Sequence, residues 1–198
     1  MAISEAWLEP YLPASGDTFV DVGANHGEWV RRLRAQFRRV FVVEPNPLCS
    51  SELRGLGPNV VVWPVGAWDT PGWRDFTIYE IDAHTSACGA GSGINAGAAL
   101  GTARYWCHTL DTMPLSVGVD FIKIDTEGAE VHVLLGALNI LERQHSRMII
   151  EVHTAANAVE VGALLQGYGY RLTEVRHPLY AGGDPLRDEH YWLVCVPN

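Results

Sequence analysis

Apolar positions along the first part of the chain switch between two periods. Phe19, Val20 and Val22 make a short apolar run from about Thr18, and Trp29, Val30, Leu33 and Phe37 then recur at helical spacing within His26 to Phe37. "RVFVVEPNP" is a buried strand stopped by Pro45 and Pro47, Leu48 to Leu56 a short helix, and "NVVVWPVGAW" a third apolar strand. This β-α-β-α-β order opens a parallel sheet with helices on both faces. Trp73 to Ile81 and Ala103 to Leu110 alternate like exposed edge strands, separated by a Gly/Ala-rich loop over 82–102. Parallel order then resumes: "DFIKI" as strand, "GAEVHVLLGALNILER" as amphipathic helix, "SRMIIEV" as strand, "AANAVEVGALLQGY" as helix, and "YRLTEVR" and "YWLVCVP" as closing strands. Residues 1–16 form an N-terminal helical segment. No repeat or linker divides the 198 residues, so a single domain is expected.

Composition narrows the partners. Fourteen basic residues against 23 acidic give a net charge of −9. That balance argues against nucleic acid or an anionic membrane, both of which reward clustered Lys and Arg. The arginine-rich stretch Arg31 to Arg39 reads as the solvated face of a helix. No apolar run is long enough to span a bilayer, and the N-terminus lacks a basic leader. Four cysteines without a CxxC spacing read as reduced thiols, which points to the cytoplasm. The oligomeric state is left open, with a homodimer among the options.

In an open α/β sheet the ligand lies at the carboxyl ends of the strands. This chain places Asp21 and Gly23-to-Gly27 there, then Glu44, then Gly66-Ala67-Trp68, then Asp125-Thr126-Glu127, then Glu151-Val152-His153. Gly23 and Gly27 suit a tight turn close to a ligand. A dinucleotide fingerprint needs glycines at 25 and 28, where Asn25 and Glu28 stand, so the nicotinamide reading fails on spacing. Asp21 would repel a phosphate but suit a sulfonium or ammonium. Glu44 is placed for ribose hydroxyls. A cationic nucleoside such as S-adenosyl-L-methionine fits this set.

Together, "FVDVGANHGEWV", "VVEPNP", "FIKIDTEGAEVHVLLGA" and "MIIEVH" resemble the FkbM family of S-adenosylmethionine-dependent methyltransferases, from about Thr18 to His153. The resemblance implies a Rossmann-like α/β fold with a seven-stranded, mostly parallel sheet whose last strand is antiparallel. It implies methyl transfer to a hydroxyl, commonly on a sugar or natural product, with S-adenosyl-L-homocysteine as the product. Carried over by position, Asp21, Gly23, Ala24, Asn25, His26 and Gly27 surround the methionine part. Glu44 holds the ribose, Pro45 and Asn46 shape its turn, and Gly66, Ala67 and Trp68 lie near the adenine. Asp125 sits close to the sulfonium or the acceptor.

An alcohol is a poor nucleophile, so a base or a metal should help remove its proton. His153 is the first candidate base, with Glu151 orienting it from the same side of the strand, and Asp125 is the acidic candidate. Asp125, Glu151 and His153 could instead hold a divalent cation such as magnesium. Lys123 points to the same side as Asp125 and reaches either a carboxylate or the surface. Glu130 reads as a helix-dipole residue, and Glu127 is divided between that role and the site. His84 is a further candidate for facing the acceptor, and Trp68 and Trp73 for stacking. The acceptor is expected to be a small molecule, read by the 82–102 loop. The rival readings are methylation of nitrogen or carboxylate on the same fold, and a non-catalytic nucleoside-binding module.

Overall fold

The computed structural model describes residues 5–79, 85–87, 99–115, 118–143, 145–176 and 191–198. Its main sheet has seven strands: β1 (Gly16–Val22), β2 (Phe37–Val43), β3 (Val60–Trp63), β8 (Phe121–Ile124), β9 (Arg147–Val152), β10 (Tyr170–Val175) and β11 (Tyr191–Pro197). Their spatial order is β10-β11-β9-β8-β1-β2-β3. β1 pairs in parallel with both β2 and β8, and only β11 runs antiparallel, to β9 and to β10. The expected seven-stranded sheet with an antiparallel last strand is therefore present. The chain leaves β1 toward β2 and returns on its other side at β8, which puts the switch in strand order between β1 and β8.

Alternation along the strands divides the core. Phe19, Val40, Val42, Phe121 and Ile149 face α1 (Glu28–Leu33), α2 (Pro47–Leu53) and a 3-10 turn at Ala6–Tyr11. Val20, Val22, Ile122, Ile124 and Ile150 face α3 (Glu130–Leu135), α4 (Leu138–Arg143) and α5 (Ala155–Gly167). Two turns are explained by side chains. Asn46 caps α2 by accepting from Leu48 N at 3.0 Å, with Pro47 in the first helical position. Thr154 caps α5 by accepting from Asn157 N at 3.1 Å.

Several expected elements are divided or shifted. The first helix ends at Leu33, and Phe37 opens β2. The third apolar run breaks at Pro64: β3 stays in the main sheet, while β4 (Gly66–Ala67) joins a second sheet. That sheet, ordered β4-β7-β5-β6, contains β5 (Gly72–Tyr79), β6 (Thr85–Ala87) and β7 (Ala99–His108). The two alternating segments are thus the inner strands of a second sheet, not edges. The long helix of the fourth unit is interrupted at Gly136, where a Cβ would lie 2.1 Å from the Trp68 carbonyl oxygen. Of the 82–102 loop, 85–87 and 99–102 belong to β6 and β7. The remainder, with His84, lies outside the described residues.

Candidate functional site

Five segments meet at the carboxyl ends of β1, β2, β4 and β8 and line a cleft. Its floor comes from Val22, Gly23 and Asn25, one side from Val43, Glu44 and Pro45, and the other from Asp125, Thr126 and Glu127. Gly66, Ala67 and Trp68 close it together with Phe76 of the second sheet.

The glycine turn owes its glycines to neighbours within the chain. At Gly23 (φ +72°) a Cβ would stand 1.8 Å from the Asp125 carbonyl oxygen, because the β1 and β8 ends converge there. At Gly27 (φ +79°) a Cβ would meet Leu53 Cδ2 at 2.2 Å. Both positions lie in the left-handed region that glycine tolerates. Gly23 and Asn25 border the cleft, whereas Gly27 and Ala24 pack inward and His26 pairs outward with Glu52 at 3.2 Å.

Glu44 is buried, and its carboxylate accepts from Asn25 N at 2.9 Å and from Asn46 N at 2.8 Å. Burial lifts its pKa, against the pull of those two donors. A carboxylate offers about four lone-pair sites, so each oxygen can take one further hydrogen bond. Asn46 is the helix cap just described and does not itself border the cleft. Trp68 does, but its indole stacks on His132, with centroids 4.2 Å apart, and Arg74 lies over it. Trp73 is exposed and packs edge-on against Trp106. The inner side of that sheet presents Phe76 and Tyr105 instead.

Asp21 does not face the cleft. It is fully buried directly beside Lys123 in the β1–β8 register, with Nζ 3.4 Å from Oδ1. The same ammonium donates to the Gly23 carbonyl at 2.7 Å and lies 3.2 Å from Asp125 Oδ2. Burial opposes the charge on Lys123, but Asp125 and Asp21 outweigh it and hold the lysine protonated. The supposed charge on the cofactor turn is thus a buried tie between the turn and Asp125. Neutralised in this way, Asp21 is not available to the sulfonium.

The fourth strand end is more elaborate than its sequence suggested. The Glu130 carboxylate folds back under its own turn, where Oε1 accepts from Thr126 N (3.1 Å), Thr126 Oγ1 (3.1 Å) and Gly128 N (3.0 Å). Asn157 of α5 donates to the Gly128 carbonyl at 3.0 Å. This clamp holds Glu127 at φ +55°. His153, 4% exposed, lies behind: Nδ1 is 3.2 Å from Glu130 Oε1, and Nε2 is 3.5 Å from Glu127 Oε2 and 3.6 Å from Asp125 Oδ1. Burial works against its charge, but Glu127 and Glu130 prevail and raise its pKa well above the usual value. Glu151 is not part of this group and does not border the cleft. Its charge acts on Lys123 and on Glu5, whose carboxyl is lifted by burial to about 8. The grouped set is Asp125, Glu127 and His153, and it differs from the expected one by Glu127 in place of Glu151. Glu130, expected only as a helix-dipole residue, is instead the acceptor around which this turn is wound. The D-T-E-G-A-E spacing gives two acidic residues three apart across a glycine, but only the fold-back of the turn turns the second one inward.

Solved structures of similar fold include methyltransferases. An FkbM methyltransferase from Methylobacillus flagellatus superposes with a TM-score of 0.65 at 17% identity, over 92% of this chain. The chain spans only 44% of that protein's length. A Streptococcus mutans protein in complex with S-adenosylhomocysteine gives 0.55 at 13% identity, over 99% of both chains. TrmK of M. capricolum, also holding S-adenosylhomocysteine, gives 0.51 at 13%, over 100% of this chain and 69% of its own. No curated protein matches the chain by sequence. Among the described residues no helix is long and apolar enough to cross a membrane. The methyltransferase FkbM domain matches residues 21–172, over three-quarters of the chain, and the protein belongs to the FkbM family of S-adenosylmethionine-dependent methyltransferases.

Proposed function

We propose that the chain is one O-methyltransferase domain that uses S-adenosyl-L-methionine to methylate a hydroxyl of a small acceptor, such as a sugar or glycosylated natural product. The observation that carries this is the cleft between the two sheets, with a buried, half-engaged carboxylate at one end and an acidic wall at the other. The free acceptor sites of Glu44 suit two ribose hydroxyls, and Val43, Ala67 and Phe76 offer apolar walls for a purine. S-adenosyl-L-methionine supplies an activated methyl group on a sulfonium.

The chain's own residues would then orient the acceptor and move its proton. Holding a nucleophile in line is worth up to about 7–11 kcal/mol in model reactions. Asp125 and Glu127 both border the cleft. His153 lies behind them already holding a proton, so we reassign the base from His153 to Asp125. In this reading Asp125 takes the hydroxyl proton, and Lys123 and His153 balance its charge. The acidic wall would equally attract an ammonium acceptor, which keeps N-methylation as the second reading.

Calorimetry with S-adenosyl-L-methionine and S-adenosyl-L-homocysteine tests the cofactor half. Glu44→Ala should weaken both by about ten-fold, near 1.4 kcal/mol, the scale of one hydrogen bond to a charged group. Absence of binding by the wild type would remove the reading. With an acceptor in hand, Asp125→Asn should lower turnover by about 10²–10⁴-fold while leaving homocysteine-product binding within a few-fold. Unchanged turnover would dismiss Asp125 as the base.

A further inference from the structure

The group behind the acidic wall contains more than proton transfer requires. The two separations from His153 Nε2, 3.5 Å to Glu127 and 3.6 Å to Asp125, are longer than good hydrogen bonds. They come close to the spacing of ligands that share an ion. Atoms each about 2.1 Å from one cation stand about 3–3.5 Å apart at octahedral to tetrahedral angles. One donor atom from each of Asp125, Glu127 and His153 lies within 4.8 Å of the other two.

Three further features favour an ion. Glu130 faces Nδ1 at 3.2 Å, which directs Nε2 into the group, and metal-bound histidines usually carry such a partner on the opposite nitrogen. Glu127 is held in a backbone conformation that non-glycine residues seldom adopt, and the clamp around Glu130 keeps it there. Finally, four carboxylates (Asp21, Asp125, Glu127, Glu130) meet two basic side chains (Lys123, His153) in a largely buried space. That leaves an excess of negative charge beside the cleft.

We propose that Asp125, Glu127 and His153 form a divalent-cation site on the acceptor side of the cleft, with two carboxylate oxygens and one imidazole nitrogen as ligands. The mixed oxygen and nitrogen donors suit Mn²⁺. The ion takes the place of a proton on Nε2, and its open positions face the cleft that Asp125 and Glu127 border. Its role, though not its existence, rests on the methyl-transfer reading: a hydroxyl on the ion becomes more acidic. The O–H electron pair then stays on the oxygen, and the proton passes to a carboxylate oxygen of this wall that does not hold the ion.

The test is Mn²⁺ titration of the metal-stripped protein, followed by the loss of the free-ion paramagnetic resonance signal. Wild type should take up one equivalent. Glu127→Gln and His153→Gln should abolish that binding, Glu130→Gln should weaken it about ten-fold, and the exposed Glu142→Gln should leave it unchanged. Thermal melts and product binding by calorimetry establish that each variant is folded. If a histidine variant fails to fold, the wild-type stoichiometry and Glu127→Gln decide the matter alone. No uptake by wild type, or uptake undiminished in Glu127→Gln, overturns the site. Product binding without Mn²⁺ uptake removes the ion and leaves the methyltransferase reading standing. Mn²⁺ uptake without product binding supports the ion and removes the reading that gave it a role.

Discussion

Lys123→Met replaces a buried ammonium by an apolar side chain of similar length, and the structure sets the size of the effect. The ammonium donates to the Gly23 carbonyl at 2.7 Å and faces Asp125 and Asp21 at 3.2 and 3.4 Å. Asp21 has no exposure, so losing its partner strands a buried charge. Removing one member of a buried ion pair costs about 3–5 kcal/mol. Part of this can be relieved, because burial already lifts the Asp21 carboxyl above its usual range against the pull of Lys123. Without the lysine, Asp21 can take up a proton. We therefore expect a loss of about 3 kcal/mol, which a domain of about 5–15 kcal/mol survives folded.

The assay is urea unfolding followed by tryptophan fluorescence, with buried Trp29 and Trp192 packed 5.4 Å apart as reporters. The sign with pH follows from the direction of the Asp21 shift. A carboxyl whose folded pKa is raised adds a penalty that is absent below the unfolded value and grows as pH rises through the folded value. The deficit of Lys123→Met should therefore be larger at pH 8 than at pH 5. Adding Asp21→Asn to Lys123→Met removes the stranded charge, so the double variant should be more stable than the single. A single variant within about 1 kcal/mol of wild type, or a double variant no better than the single, would refute the buried-charge account.

Gly23→Ala forces a Cβ to within 1.8 Å of the Asp125 carbonyl at φ +72°, so it should cost several kcal/mol, of the order of the largest single-site losses; a melting temperature unchanged from wild type would contradict the close approach of β1 and β8. Glu5→Gln should raise the melting temperature at pH 8.5 and leave it unchanged at pH 4. Burial, and then Glu151, lift the Glu5 carboxyl from 4.5 to about 8, and the penalty of ionising it appears only as pH climbs through that window. A gap of equal size at both pH values would refute this. Thr154→Ala removes the cap of α5 and should lower unfolding free energy by about 1 kcal/mol, read by urea titration. An effect near zero would mean that the Asn157 link to Gly128 holds the helix start unaided.

Much of the main sheet is legible in the chain because its strands are nearly continuous apolar runs. "DFIKI" and "SRMIIEV" are buried on both faces, as parallel strands must be. The second sheet is not legible in the same way. β5 and β7 alternate because one face turns inward, with Phe76 over the cleft and Tyr105 packed beside it, while the other presents Trp73 and Trp106 to solvent. That pattern is shared by an edge strand and by an inner strand of a one-sided sheet, so alternation cannot tell them apart. The broken fourth helix is a tertiary effect. Gly136 admits the Trp68 carbonyl, and nothing in the local periodicity announces that contact.

The site divides along the same line between local and long-range causes. Glu44 and Asp125 follow their strands directly, so their place at the sheet edge could be read from where the apolar runs stop. The choice between Glu151 and Glu127 could not. Strand alternation puts Glu151 and His153 on one side, but His153 lies beyond the last β9 residue, where strand geometry no longer sets its direction. It turns toward Glu130 across the neighbouring helix start, and Glu127 reaches it only because the turn is wound around that carboxylate. Asp21 reverses the argument. Its carboxylate next to a glycine turn suggested a ligand, yet the residue that answers it is Lys123, a hundred positions on and directly opposite in register. An acidic residue at a strand end therefore marks a charge that must be answered, and only the register says whether a ligand or the protein answers it.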